Sequence, residues 1–178
     1  MKNNYNTQKH IISLTIENKA GALSRVSGLF SGRGYNIESL TVNETEKAGV
    51  SNMTIVTSGE EIIIEQIIKQ LRKLINVLRV RDVTTLPDHI EREMALVKLH
   101  IVPKQRSEMF GIVDAYRGRV IDMSHESMII EVSGSEEKVD SFVELVRPYG
   151  LIEVIKTGVL AMTKGSGATV PEVKAKDA

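Results

Sequence analysis

The segment from Glu17 to Val42 contains two short stretches whose residue types suit the binding of a small charged molecule. The first reads ENKAGALSRV, in which a strand is expected to end at Asn18 and a helix to begin at Gly21 or Ala22. The first amides of a helix lack internal partners and lie at the positive end of its dipole, so they attract carboxylates and phosphates. Gly21 and Ala22 have little or no side chain, which allows a ligand to approach the backbone closely.

The second stretch, GYNI, follows the same helix and ends in the apolar Ile37. This side chain and Leu23 suit a branched aliphatic group, while backbone carbonyls or the side-chain amides of Asn18 and Asn36 suit an ammonium group. The pattern therefore indicates an amino acid as the ligand. A structural interpretation stands beside it, because asparagine often caps helices and glycine often serves only a turn. Spacing alone favours the structural interpretation.

Other motifs that would indicate chemistry are missing from the sequence. SGRGYN lacks the third glycine of a dinucleotide motif and follows a helix instead of a strand. Neither a GxSxG nucleophile turn nor a GxxxxGK phosphate loop occurs. The histidines are scattered and have no cysteine to assist them, so structural or surface roles are favoured over metal binding; they are His10, His89, His100 and His125.

A local run of basic residues has two interpretations. A solvated helix face is favoured because exposed charges are the norm, and docking on an acidic surface of a larger partner is the alternative. The run consists of Lys69, Arg72, Lys73, Arg79 and Arg81.

The composition excludes several classes of protein. Of 178 residues, 42% are hydrophobic and 26% charged, as in ordinary globular proteins. Lysine plus arginine equals aspartate plus glutamate at 23 each, which argues against a nucleic-acid binder. The absence of cysteine excludes disulfides and thiolate metal sites. Because no apolar run approaches a membrane span and the first residues do not form a secretory signal, we expect a cytoplasmic protein with no membrane partner.

Hydrophobic periodicity predicts the order strand, helix, strand, strand, helix, strand, and then the same order again. In the first copy the strands read IISLTIE, YNIESLTV, SNMTIVTS and INVLRVRDVT. The second copy begins with MALVKLHIV and ends with LIEVIKTG. This order is typical of the ferredoxin-like sandwich, in which two helices cover one face of four antiparallel strands. The predicted class is α+β, with two ferredoxin-like βαββαβ units in tandem.

The predicted boundaries follow from shifts in composition. They are an N-terminal extension over 1–10, a first unit over 11–86, a charged linker over 87–94, a second unit over 95–162 and a flexible tail over 163–178. The polar side chains of the first strand, Ser13 and Thr15, are expected to be solvated or covered by pairing of sheets in a homodimer.

The string NKAGALSRVSGLFSGRGYNIESLTV, followed by MTIV and IIKQLRKLINVLRV, resembles the small, regulatory subunit of acetolactate synthase (acetohydroxyacid synthase). The first unit is similar to the ACT domain, the amino-acid-sensing version of the ferredoxin-like fold. The resemblance is dense over residues 11–83 and continues more sparsely through EREMALVKL and GRVIDMS to GLIEVIKTGVLAMTKG.

This resemblance implies a site and a ligand. It implies that valine binds between two ACT domains of a homodimer, where the first loop of one protomer faces the start of the second strand of its neighbour. Carried over by motif, the effector-binding residues are Asn18, Lys19, Ala20, Gly21, Ala22, Leu23, Gly34, Tyr35, Asn36 and Ile37.

The resemblance also implies a partner, the large catalytic subunit of acetolactate synthase. The chain would be a non-catalytic subunit that activates this partner and confers feedback inhibition in branched-chain amino acid biosynthesis. No catalytic residue, metal or cofactor is expected in this chain; thiamine diphosphate, Mg and FAD would belong to the catalytic subunit. The alternative function is a stand-alone ACT sensor that regulates another enzyme or a transcription factor. An enzyme in its own right ranks third.

Overall fold

The computed structural model describes residues 8–166 and residue 169. These residues form two compact units. The first comprises the chain up to Ile90 together with the segment that begins at Leu160, and the second covers Glu91–Val159. The first unit contains β1 (Gln8–Glu17), α1 (Ala22–Gly32), β2 (Ser39–Glu44), β3 (Val50–Gly59), α2 (Glu61–Leu71) and β4 (Val77–Asp82). The elements that follow are β5 (His89–His100), α3 (Arg106–Ala115), β6 (Arg119–Met123), β7 (Ser127–Gly134), α4 (Glu136–Val146), β8 (Leu151–Lys156) and β9 (Leu160–Thr163).

Both sheets have the strand order expected of a ferredoxin-like unit. The first runs β2-β3-β1-β4 with antiparallel neighbours, and Leu14 of β1 lies opposite both Met53 and Val80. The second runs β6-β7-β5-β8, with β9 paired to β5. This order confirms the predicted α+β class and the tandem repeat.

One face of the first sheet packs against both helices. Ile12, Leu14 and Ile16 alternate along β1 and are buried at 3% exposure or less. Helical spacing places the buried Val26 and Phe30 on one side of α1. Each fully buried aliphatic or aromatic side chain contributes about 1.5–3 kcal/mol relative to its exposed state.

The second unit has a separate core of the same type. The apolar stripe of α4 packs on the sheet as its spacing predicts, since Val139, Phe142, Val143 and Val146 are all buried. The helix begins at a conventional cap, because the amide of Lys138 donates to Oγ of Ser135.

Two predicted boundaries differ from the structure at the start and centre of the chain. β1 begins at Gln8, which pairs with Gly59, so the last residues of the predicted extension belong to the sheet. Most of the predicted linker 87–94 lies in β5, which begins at His89. Pairing with neighbouring strands gives this charged segment its backbone hydrogen bonds, and Glu93 lies opposite Gly134.

The predicted end of the second unit at residue 162 also differs, because the segment that begins at Leu160 belongs with the first unit. This segment contains β9, which was not expected because four residues are too short a run to show a period. The amide of Lys164, in the predicted tail, donates to the carbonyl of Asp88 at 2.9 Å. The remainder of that tail lies outside the described residues apart from residues 165, 166 and 169.

One expectation for Ser13 and Thr15, that they are solvated, is wrong. They are 5% and 3% exposed, respectively. β1 is an inner strand, so these short side chains are flanked on both sides, Ser13 by Thr54 and Arg81. Among the described helices, none combines the length and apolarity needed to cross a membrane.

Candidate functional site

Gly21 sets the geometry of the first candidate loop. It is the N-cap of α1 and has φ 82° and ψ −5°, a left-handed conformation that strongly favours glycine. A Cβ built at this position would meet no atom within 4 Å. The backbone is therefore open to close approach by a ligand.

The first turn of α1 presents hydrogen-bond donors. The first helical hydrogen bond runs from the amide of Arg25 to the carbonyl of Gly21 at 3.0 Å. The amides of Leu23 and Ser24 precede it, and the helix itself offers them no carbonyl, because α1 begins at Ala22. No side chain caps this helix. A carboxylate placed here would accept from these amides and lie at the positive end of the helix dipole.

Hydrogen-bond acceptors lie beside the same loop. The backbone amide of Asn18 donates to the carbonyl of Gly49 at 2.8 Å, and its side-chain amide donates to the carboxylate of Glu44. Because Nδ2 is the donor, Oδ1 of Asn18 remains an acceptor next to a negative carboxylate. This pair suits an ammonium group. Sequence reasoning missed Glu44, whose position on β2 becomes relevant only when the sheet is formed.

The side chain of Lys19 forms an ion pair at the end of β1. Its ammonium lies 3.2 Å from Oε2 of Glu17, which also accepts from the side-chain amide of Asn76 at 3.0 Å. Hydrogen bonds from Lys19 and Asn76, with the positive charge of Lys19, lower the pKa of the Glu17 carboxyl from its ordinary value. The structure thus directs this predicted effector-binding side chain toward Glu17.

The second candidate segment follows the end of α1. Gly34 is left-handed with φ 70°, and the amide of Tyr35 donates to the carbonyl of Phe30 at 3.0 Å. The two aromatic rings meet edge to face with centroids 6.3 Å apart. The carbonyl of Asn36 accepts from Oγ1 of Thr57 at 2.7 Å, and Asn36 itself is exposed.

The remaining predicted residues divide by burial. Ala22 is 4% exposed and belongs to the core, while Leu23 is 44% exposed. Tyr35 and Ile37 are half-buried against the core of the first unit. Ala20 is exposed in the loop.

The two predicted segments do not meet within one chain. The first lies before α1 and the second after it, and α1 has 11 residues. A helix of this length spans about 16 Å at 1.5 Å per residue. A single ligand that touches both segments therefore needs a second copy of the chain.

Comparison with known proteins identifies the family. A family model described as the AHAS small subunit-like ACT domain matches residues 12–79, and one described as the small subunit of acetolactate synthase matches residues 92–165. A probable acetolactate synthase small subunit from Archaeoglobus fulgidus is 46% identical over 158 residues, or 89% of this chain and 98% of that protein. The chain belongs to the acetolactate synthase small subunit family.

Further relatives agree with this assignment. The acetolactate synthase small subunit of Bacillus subtilis is 44% identical over 159 residues, covering 89% of this chain and 92% of that protein. A crystal structure of the acetolactate synthase small subunit from Thermotoga maritima superposes with a TM-score of 0.83 at 39% identity. That match covers 89% of this chain and 99% of the other. The family predicted from the loop motifs, and the ACT assignment of the first unit, are confirmed.

The histidines occupy varied surroundings. Nδ1 of His10 lies 2.8 Å from Oδ2 of Asp82, and Nδ1 of His89 lies 3.0 Å from the carbonyl of Leu86. Within the part of the chain that the structure describes, no group of three or more histidine or acidic side chains has the arrangement of a metal site.

Proposed function

We propose that this small subunit is a non-catalytic regulator that binds valine, or a related branched-chain amino acid, between two ACT domains of a homodimer. In this proposal it activates the large catalytic subunit of acetolactate synthase and confers feedback inhibition. The observation that carries the proposal is the open, left-handed Gly21 before an uncapped helix. Thiamine diphosphate, Mg and FAD are assigned to the catalytic subunit.

The loop offers a place for each part of the ligand. The carboxylate accepts hydrogen bonds from the amides of Leu23 and Ser24 at the start of α1. The ammonium lies between Oδ1 of Asn18 and the carboxylate of Glu44, which are already joined through the Asn18 amide. The aliphatic side chain packs on Leu23, which is 44% exposed in the single chain.

In this proposal the second copy of the chain pairs with the free edge of β2. β2 is an edge strand whose Leu40 and Val42 are 37% and 38% exposed. Antiparallel pairing of two β2 strands places the start of one opposite the end of the other. The end of β2 is Glu44, which contacts Asn18, and the start of β2 is preceded by segment 34–37. Such pairing brings the second segment of one copy to the first loop of the other.

Regulation then follows from linkage. A ligand that contacts both copies stabilises one arrangement of the dimer, and a catalytic subunit that binds the arrangements unequally changes its activity. A switch from almost fully active to almost fully inhibited needs about 5.5 kcal/mol of differential affinity. The two symmetry-related binding sites of the proposed dimer contribute to this free energy together.

The proposal is tested by calorimetric titration of the purified chain with valine, leucine and isoleucine. The same titrations are then repeated on its complex with the catalytic subunit. We expect saturable binding of at least one of them and co-purification of the catalytic polypeptide. Absence of binding by all three, alone and in complex, would overturn the sensor. Binding of an amino acid without association with the catalytic subunit would instead favour a stand-alone sensor.

A further inference from the structure

The connection between α1 and β2 contains segment 34–37 and is fixed near each end by a backbone hydrogen bond. At its start the amide of Tyr35 donates to the carbonyl of Phe30 at 3.0 Å. At its end the amide of Glu38 donates to the carbonyl of Val56 on β3 at 2.8 Å. The chain therefore enters and leaves the segment at fixed points.

The middle of the segment is held by a side chain from β3, that of Thr57. Its Oγ1 donates to the carbonyl of Asn36 at 2.7 Å. Asn36 is exposed, and the next residue, Ile37, is half-buried. The hydroxyl of Thr57 therefore anchors the backbone of an exposed residue at a point between the two end bonds.

Thr57 is a polar residue in an otherwise apolar row of the core. It is 1% exposed and lies opposite His10 of β1. Alternation along β3 places it on the helix-covered face with Met53 and Ile55, which are both fully buried. A valine has nearly the same shape and would fill this place without a hydroxyl to remove from water. Packing alone therefore does not call for the hydroxyl.

The second unit has a valine at the equivalent position. β3 ends at Gly59 and β7 ends at Gly134, and each glycine lies two residues before the start of a helix. The residue two positions before the glycine is Thr57 in β3 and Val132 in β7. Both are 1% exposed. The same place in the fold is thus filled by an apolar residue of similar shape when no hydroxyl is needed.

The connections that precede the two edge strands differ in the same way. In the second unit residues 116–118 join α3 to β6, and the amide of Gly118 donates to the carbonyl of Val113 at 2.8 Å. In the first unit the longer stretch 33–38 joins α1 to β2. The hydroxyl occurs in the unit with the longer connection. It therefore belongs with segment 34–37 and is not a requirement of the fold.

We propose that Thr57 is a positioning residue of the effector site. Its hydroxyl holds the carbonyl of Asn36, so that segment 34–37 meets the neighbouring copy and the effector in a preformed shape. The inference rests on the proposed function for the ligand and for the second copy. Thr57 is buried and acts through Asn36 without touching the ligand. Because the segment is already ordered, less conformational freedom is lost when the effector binds.

Two replacements separate the hydroxyl of Thr57 from the shape of its side chain. Thr57→Val keeps the branched shape and removes the hydroxyl, whereas Thr57→Ser keeps the hydroxyl and removes a buried methyl group. In calorimetry we expect Thr57→Val to weaken valine binding about fivefold, because a hydrogen bond that orders the segment is lost. Thr57→Ser should bind valine with the affinity of the wild type.

The thermal stability of the same variants distinguishes positioning from a purely structural role. Thr57→Ser leaves a small cavity in the core and should lower the melting temperature. Thr57→Val keeps the core filled, and water replaces the lost donor at the exposed Asn36, so the melting temperature should change less. Affinity and stability should therefore rank the two variants in opposite orders. If both properties ranked them in the same order, the hydroxyl would be structural and the inference would be wrong.

Thr54 provides a matched control on the same strand. It is 9% exposed and lies opposite Ser13, on the face of the sheet away from Thr57. Thr54→Val makes the same chemical change at a distance from segment 34–37 and should leave the affinity for valine unchanged. Equal weakening by Thr54→Val and Thr57→Val would overturn the inference, because a change in the strand, and not the bond to Asn36, would then be the cause.

Amide hydrogen exchange tests the anchor in the absence of any ligand. The amides of Tyr35 and Glu38 are the donors of the two end bonds. We expect both to exchange faster in Thr57→Val, since the stretch between them is less restrained, and at the wild-type rate in Thr57→Ser. Unchanged exchange in Thr57→Val would show that the hydroxyl does not hold the segment, and the inference would be wrong.

The titrations also separate this inference from the proposed function. If the wild type bound valine and Thr57→Val bound it equally well, the role of Thr57 would be overturned and the effector site would stand. If the wild type bound neither valine, leucine nor isoleucine, alone or with the catalytic subunit, the site itself would be wrong and the role of Thr57 with it.

Discussion

Nδ1 of His10 lies 2.8 Å from Oδ2 of Asp82, and the two side chains are 8% and 9% exposed. This contact joins β1 to the end of β4. The second oxygen of Asp82 accepts from the amide of Thr84 at 3.0 Å, so the carboxylate is fixed in place. Removal of either partner leaves the other buried without its hydrogen bond.

His10→Ala should therefore lower the free energy of unfolding by about 2–4 kcal/mol, since an unpaired buried carboxylate is strongly destabilising. Urea unfolding of His10→Ala, Asp82→Ala and the double variant measures the coupling between the two side chains. The double variant should cost less than the sum of the single variants. Additive costs would show that the contact contributes little.

Gly21→Asp should reduce the affinity for valine at least about tenfold, because it places negative charge and bulk where the ligand carboxylate binds. Gly21→Ala is the matched control. It carries the same left-handed backbone, at a cost of about 1–2 kcal/mol, but no charge. Calorimetry and circular dichroism compare the two. Undiminished valine binding by a folded Gly21→Asp would place the site elsewhere.

Asn36→Ala should weaken valine binding but leave activation of the catalytic subunit largely unchanged. The carbonyl of Asn36, not its side chain, bonds to Thr57, so truncation preserves the loop. Calorimetry for valine and an acetolactate assay of the complex without valine measure the two effects. Loss of activation would mean that the effector and docking surfaces overlap.

Lys156 should stabilise the second unit through Glu93. Its ammonium lies 2.9 Å from Oε1 of Glu93, whose side chain is 4% exposed, and it also pairs with Asp140. Lys156→Met should destabilise the unit by about 2–4 kcal/mol in thermal or urea unfolding, because the buried Glu93 loses its ion-pair partner. Adding Glu93→Gln should recover a large part of this loss. A still less stable double variant would contradict the ion-pair account.

The same lysine predicts a response to alkaline pH. Burial by itself lowers the pKa of Lys156, but its hydrogen bonds and charge interactions with Asp140 and Glu93 together raise it above the ordinary 10.5. A folded-state pKa above the unfolded value gives stability that is full below 10.5 and is lost as pH rises through the folded pKa. Unfolding measured above pH 10.5 should show this loss in wild type and not in Lys156→Met.

Much of the fold follows from local patterns. Alternation of Ile12, Leu14 and Ile16 and the helical stripe ending in Phe30 each predict one element correctly, because burial on one face imposes its period on the sequence. β9 escaped prediction because its stability comes from pairing with β5, and a charged segment became strand for the same reason. Long-range pairing leaves little trace in a local pattern.

The candidate site is predictable only in part. Gly21 and Gly34 are recognised because a left-handed backbone favours glycine. The sequence does not predict the contact of Asn18 with Glu44 or that of Lys19 with Glu17, since both depend on how the loop folds back.

The placement of the two candidate segments at opposite ends of α1 has a genetic consequence. Each binding site in the proposed dimer takes the Gly21 loop from one subunit and segment 34–37 from the other. Mixing Gly21→Asp chains with Asn36→Ala chains should yield heterodimers in which both substitutions lie in one binding site, while the other site has neither. The two variants would thereby complement each other in part, because each heterodimer regains one intact binding site, whereas either variant alone carries a lesion in both sites.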